Sequence, residues 1–241
     1  MIGLKAEGIT HRYGDHAVLR DVSLAIPKGQ SHVIAGPNGS GKSTLLRILA
    51  LLEEPTEGRV SIDGEPTSQA EVAARRREMA LVAQPPYLFH GTVLSNVAYG
   101  LKVRRLPRAE IRERVESAIT WAGLEEVAQQ AARTLSVGQS QLVNLARAVA
   151  LQPRVLLVDE PTAGLDVRNA GKVEELVSAY ASDPETTVLL VTHHLPQARR
   201  LAQNLTLLYE GQVVDSGPIA DLLERADDPR AAAFLSHHAM P

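Results

Sequence analysis

No cysteine occurs among the 241 residues, so a disulfide framework and a thiolate metal site are both excluded. Long apolar runs are missing too. The longest, such as Val155-Leu156-Leu157-Val158, are of strand length, whereas a membrane span needs about 20 mostly apolar residues. The opening stretch, MIGLKAEGIT, lacks the basic start and apolar core of a secretory leader. There is no surplus of basic charge either: 25 Lys and Arg stand against 28 Asp and Glu, for a net charge of −3. That balance argues against a dedicated nucleic-acid binder. Glycine and proline, at 17 and 14, are at ordinary frequency and exclude a collagen-like or disordered composition. No internal repeat, low-complexity tract or extended heptad stretch is present. These absences lead to the expectation of a cytoplasmic globular chain that meets a membrane only through partners.

What is present is a 44% hydrophobic chain, enough for a substantial core in one large domain. The N-terminal part reads as short β runs, from Leu4 to Thr10 and from Val18 to Ile26, followed by a turn at Pro27-Lys28-Gly29. A buried-type strand, Ser31 to Ala35, leads into a glycine-rich loop and then a helical stretch from Thr44 to Leu52. Further strands are expected at Arg59 to Asp63 and Ala80 to Ala83. From about Pro85 to Ala150 the pattern turns helical. Ile111, Val115, Ala118, Ile119 and Ala122 recur at three- and four-residue steps, as do Leu142, Leu145, Ala146 and Val149. Continuous apolar runs then return at Val155 to Val158 and Thr187 to Val191, as suits parallel strands buried on both faces. Leu205 to Asp215 reads as a hairpin turning at Glu210-Gly211. The expected fold is therefore α/β: a core of residues 1–85 and 151–241, a mixed sheet with an antiparallel part, interrupted by a helical subdomain at 86–150.

Gly36-Pro37-Asn38-Gly39-Ser40-Gly41-Lys42-Ser43-Thr44 fits the phosphate-binding pattern G-x-x-x-x-G-K-[ST]. Glycines let the backbone wrap a phosphate chain with its N–H groups pointing inward. The following helix offers its positive end to the anion. In this pattern Lys42 reaches the β- and γ-phosphates of ATP and Ser43 supplies a hydroxyl to Mg²⁺. A second element complements it. The strand Val155 to Val158 ends in Asp159, placed to hold Mg²⁺ beside the loop, and Glu160, placed to orient or deprotonate an attacking water.

With these motifs in place, Leu135-Ser136-Val137-Gly138-Gln139 resembles the LSGGQ signature of the ATP-binding-cassette (ABC) ATPases, and it lies between the loop and the Asp159-Glu160 strand as in that family. Gln84 resembles the family's Q-loop glutamine, Ala163-Gly164-Leu165-Asp166 its D-loop, His193 its switch histidine and Tyr13 the aromatic that stacks on adenine. The resemblance covers about residues 2–225. It implies an ATPase that binds Mg·ATP and works as a head-to-tail dimer, each nucleotide held by one copy's loop and the other's signature. Ser136 and the Gly138 N–H would meet the γ-phosphate across the interface, beside Gln139. Gln84 would sense metal and nucleotide and signal to the helical insert. His193 would position γ-phosphate and water, and Asp166 would link the two sites. Val137 departs from the signature's first glycine. A β-branched residue resists positive φ, so an ordinary backbone is expected there. Leu142 stands where many members carry arginine.

One cassette without a membrane span resembles importer subunits that pair with separate permease proteins at the inner face of the cell membrane, together with a solute-binding protein. The stretch from Gln84 to Leu101 resembles the region that receives the permease in importers, with Leu88 and Phe89 expected as exposed apolar contacts. Leu51 to Thr56 and Thr192 to Ala202 weakly resemble oxyanion importers of the phosphate and tungstate type. Two other tasks use the same cassette, one acting on nucleic acid or ribosomes and one in export or lipid trafficking.

Overall fold

In the computed structural model, residues 2–224 and 228–238 are described. The domain boundaries drawn above also extend over residues 1, 225–227 and 239–241, which lie outside them. The chain opens with two long strands, β1 (Ile2–Tyr13) and β2 (His16–Pro27), then β3 (Ser31–Ala35) and α1 (Lys42–Leu49). Strands β4 (Glu57–Ile62) and β5 (Glu65–Pro66) are followed by α2 (Val72–Arg77) and β6 (Met79–Val82). The middle is helical: α3 (Val93–Val103), α4 (Arg108–Ala122) and α5 (Val137–Val149). The chain then alternates through β7 (Val155–Asp159), α6 (Val167–Ala181), β8 (Thr187–Val191) and α7 (Leu195–Leu201). It closes with β9 (Asn204–Tyr209), β10 (Gln212–Pro218), α8 (Ile219–Glu224) and α9 (Pro229–His238).

Two sheets result. The first is antiparallel, in the order β2-β1-β4-β5; the second runs β10-β9-β3-β8-β7-β6. In the second sheet β9, β3, β8, β7 and β6 pair in parallel and only β10 runs against its neighbour. β3 and β8 are buried at every position, as parallel strands covered on both faces are. The alternation of strand side chains sorts the core into two layers. Leu156 and Val158 face a cluster built with α3, α4 and α5. Their neighbours Val155 and Leu157 face the opposite cluster, built with α1 and the antiparallel sheet.

Local signals explain the helices of the insert. In α4, Val115, Ala118, Ile119 and Ala122 are buried, the stripe their spacing predicts, and the helix stops at Gly123 in the left-handed conformation (φ 62°). Ser136 caps α5 by accepting from the Gln139 N–H while the Gln139 side chain accepts from the Ser136 N–H. The signature is thus also a capping box. Two differences from the sequence reading stand out. The helix after the glycine-rich loop ends at Leu49 rather than Leu52, because Leu51 takes positive φ (57°) and turns the chain away. The short helix α2, with no buried residue, has no apolar period to announce it.

Candidate active site

The carboxyl ends of the parallel strands β3, β6, β7 and β8 lie side by side, where ligands bind in open α/β sheets. From β3 the chain leaves the sheet through Gly36, Gly39 and Gly41, all at positive φ, and enters α1 at Lys42. Lys42 Nζ donates to the carbonyls of Gly36 and Pro37, both at 2.9 Å. Burial pulls its ammonium below the usual lysine range, against the opposing pull of the Glu160 and Asp159 carboxylates. Asn38 and Gly39 are exposed at the loop tip, and Ser40 is buried with its Oγ unpartnered. Thr44 is buried and accepts from Arg47 Nη2 at 3.3 Å.

Ser43 Oγ donates to Asp159 Oδ1 at 3.2 Å, joining α1 to the end of β7. Burial pushes the Asp159 carboxyl up, the Ser43 bond opposing it and the Glu160 charge adding to it. A hydroxyl and a carboxylate in mutual reach are the oxygen donors that a hard divalent cation such as Mg²⁺ takes, so these residues fit the metal. The next residue, Glu160, has positive φ (44°), which is uncommon for a residue with a side chain and marks local strain at functional positions. Its N–H donates to Val191 O at 2.9 Å. Its Oε1 lies 2.8 Å from His193 Nδ1, and the Glu160 side chain is largely buried while His193 stays half exposed. His194 instead caps α7, accepting from the Gln197 N–H. A carboxylate hydrogen-bonded to an imidazole beside the loop is suited to orienting a water and accepting its proton.

Tyr13 ends β1 and is 46% exposed, with the His11 ring nearly at right angles to it and 4.8 Å away. Its hydroxyl donates to Glu53 Oε1 at 2.6 Å and accepts from Arg47 Nη2 at 3.0 Å. Arg47 also bonds Glu53 Oε2, so one network runs from Thr44 to Tyr13. Sequence reasoning missed Arg47 and Glu53, whose pairing depends on the return of the chain after α1. Gln84 follows β6 and is exposed.

The remaining predicted residues form a separate group. Ser136, Gln139 and Gly138 sit at the start of α5, and Asp166 caps α6 by accepting from the Asn169 N–H at 2.9 Å. The Asn169 side chain donates to Asp166 and lies so close to Gly138 that a Cβ there would be 2.6 Å from Asn169 Cγ. Val137 is the first residue of α5, 60% exposed and helical. The ordinary backbone expected at this departure is what the structure has. Leu142, in place of arginine, is buried in the core. Among the described residues this group shares no hydrogen bond with the loop group. The expected docking contacts are corrected in part. Leu88 is partly buried against the core cluster, and the exposed residues are Tyr87 at 69% and Tyr99 at 45%. Phe89 lies between them, stacked on Tyr99 at 4.1 Å and edge-on to Tyr87 at 5.5 Å.

No helix among the described residues is long and apolar enough to cross a membrane. The family described as ABC transporter matches residues 19–163. A phosphate import ATP-binding protein of Natronomonas pharaonis is 41% identical, over 97% of this chain and 86% of its own. A probable anion import ATP-binding protein of Haloferax volcanii is 38% identical, over 96% of this chain and 86% of its own. Among solved structures, a dimeric post-hydrolysis state of the ATP-binding cassette MJ0796, bound to ADP and Pi, superposes with a TM-score of 0.81 at 32% identity, covering 90% of this chain and 98% of that one. With a phosphate loop, a capped signature helix, an acid-tipped strand and a histidine-held glutamate in that order along the chain, and with likeness over nearly its whole length, this chain belongs to the ABC transporter family as an ATP-hydrolysing cassette of the importer type.

Proposed function

We propose that this chain powers uptake of a small solute of the oxyanion class, such as phosphate or tungstate. In this reading it acts as a homodimer at the inner face of the cell membrane, beneath separate transmembrane permease subunits that receive cargo from a solute-binding protein. The observation that carries the reading is the division of the predicted site. The group around Lys42, Ser43, Asp159, Glu160 and His193 is joined within one chain, whereas Ser136, Gly138, Gln139 and Asp166 form their own group on α5 and α6. A second copy supplies what each group lacks. The dimeric likeness with ADP and Pi supports this, and the relatives named for phosphate and anion import support the solute class.

In this dimer the backbone N–H groups of Asn38 to Thr44 and the Lys42 ammonium bind the phosphates of ATP, and Tyr13 stacks on adenine. Ser43, Asp159 and Gln84 would hold Mg²⁺, which would supply positive charge to offset that of the phosphoryl group being transferred. Glu160 takes the proton of the attacking water and His193 holds Glu160 in place. Ser136 and the Gly138 N–H reach the γ-phosphate on the partner copy, and Asp166 links the two sites through Asn169. The helices of residues 86–150 move as a subdomain against the core of 1–85 and 151–241, and Tyr87, Phe89 and Tyr99 receive the permease.

The test is affinity isolation of the chain from gently solubilised membranes. Recovery of a permease and a solute receptor carrying an oxyanion is expected. Ribosomes, nucleic acid, or no membrane protein would overturn the transport reading and leave the ATPase standing.

A further inference from the structure

The signature helix reaches back to the segment that carries Gln84. Asn144 and Arg147, three residues apart on α5 and so on one face, both bond to that segment. Asn144 is 3% exposed. Its Nδ2 donates to Ala83 O at 3.0 Å, and its Oδ1 accepts from Arg147 Nη2 at 2.7 Å. Arg147 Nη1 donates to Tyr87 O at 2.8 Å, and its guanidinium lies 5.2 Å from the centre of the Phe89 ring. Ala83 and Tyr87 bracket Gln84, so two side chains of one helix hold both flanks of the loop. Burial lowers the pKa of the Arg147 guanidinium, and among the described residues no carboxylate pairs with it. A desolvated cation held only by neutral oxygens and a ring is costly to keep. A planar fork bonded to two fixed oxygens also transmits displacement better than a flexible contact.

We propose that Asn144 and Arg147 form a strut that carries movement of residues 83–89 to the N-terminal end of α5, where Ser136 and Gly138 lie. Nucleotide sensed at Gln84, or a partner seated on Tyr87 and Tyr99, thereby repositions the signature half of the site. Both are positioning residues. The inference rests on the nucleotide-site reading given above and adds the path between its two halves.

The experiment uses the full chain at a concentration where light scattering shows a monomer, so that no partner copy touches the signature. Hydrogen exchange is followed with and without Mg²⁺ and a non-hydrolysable ATP analogue. In the wild type, the analogue is expected to slow exchange by about tenfold both in 83–89 and at the Gln139 and Ser140 amides. Arg147→Lys keeps the charge and loses the fork; Asn144→Leu keeps the volume and loses the donor. Both variants should bind the analogue within about threefold of wild type, keep the 83–89 response and lose the response at Gln139 and Ser140. Loss of that response with the melting temperature unchanged separates positioning from mere stability. Variants that transmit as the wild type does would overturn the strut. So would a wild type that binds the analogue yet leaves α5 unaltered, a result that needs no variant to fold. A wild type that fails to bind the analogue would instead overturn the nucleotide-site reading on which the strut rests.

Discussion

At the scale of single residues, His32 shows how a polar side chain is tolerated in a strand buried on both faces. It lies within β3, 3% exposed, with Nε2 2.8 Å from Thr206 Oγ1 and Nδ1 without a partner. Burial lowers its pKa from 6.5 to about 4. Between those values the unfolded chain holds a proton that the folded chain does not, so stability rises with pH across this window and is lost as pH falls from 6.5 towards 4. The loss reaches about 3 kcal/mol at most. His32→Gln, which cannot titrate there, is expected to flatten this part of the stability–pH curve in denaturant unfolding at several pH values. An unchanged slope would mean that His32 is not its source. The residue-level site was largely legible for a related reason: Lys42, Ser43, Asp159 and Glu160 are recognised by chemistry at fixed spacing along the chain. Arg47 and Glu53 were not, since their bonds to Tyr13 join positions 34 and 40 residues apart.

At the scale of elements, the β9–β10 hairpin is more than an edge. Its two-residue turn places Glu210 and Gly211 at φ 48° and 78°, the pattern of a type I′ hairpin. That turn was readable from the sequence; what it touches was not. The Gly211 N–H donates to Ser40 O at 3.1 Å, and its carbonyl accepts from the Arg20 N–H at 2.8 Å. The turn therefore braces the phosphate loop from below. A Cβ on Gly211 would lie 2.3 Å from Val18 O. Gly211→Ala should cost about 1–3 kcal/mol of stability in thermal or denaturant unfolding, and ATP affinity measured by calorimetry should fall with it. Destabilisation with affinity intact would show that the brace does not shape the loop. The same division holds elsewhere. The apolar stripe of α4 and the buried runs of β3, β7 and β8 were legible because periodicity is local. α2 was not, because it buries nothing.

At the scale of the whole molecule, the candidate site falls into two groups that share no hydrogen bond among the described residues, and the dimer proposed above makes hydrolysis a property of two copies. Glu160→Gln is expected to keep ATP binding and to slow phosphate release by about 10²–10⁴-fold. The slowed variant should then accumulate as a Mg·ATP dimer in light scattering, since ATP bridging two surfaces holds them closed until it is cleaved. Undiminished turnover would remove Glu160 from the mechanism, and a slowed variant that stays monomeric would count against the bridging. By itself the sequence determined the α/β class, the phosphate loop, the acid-tipped strand and the order of the cassette motifs. Each of these is written in residue types at short fixed spacings, and backbone geometry turns such spacings into structure without help from distant contacts. Only the tertiary structure decided that Leu88 packs inward while Tyr87 faces out, that Gly138 lies against Asn169, and that Asn144 and Arg147 hold the Gln84 loop. These outcomes depend on which surfaces meet when the two core layers close over the sheet, and no local pattern in the chain encodes that meeting.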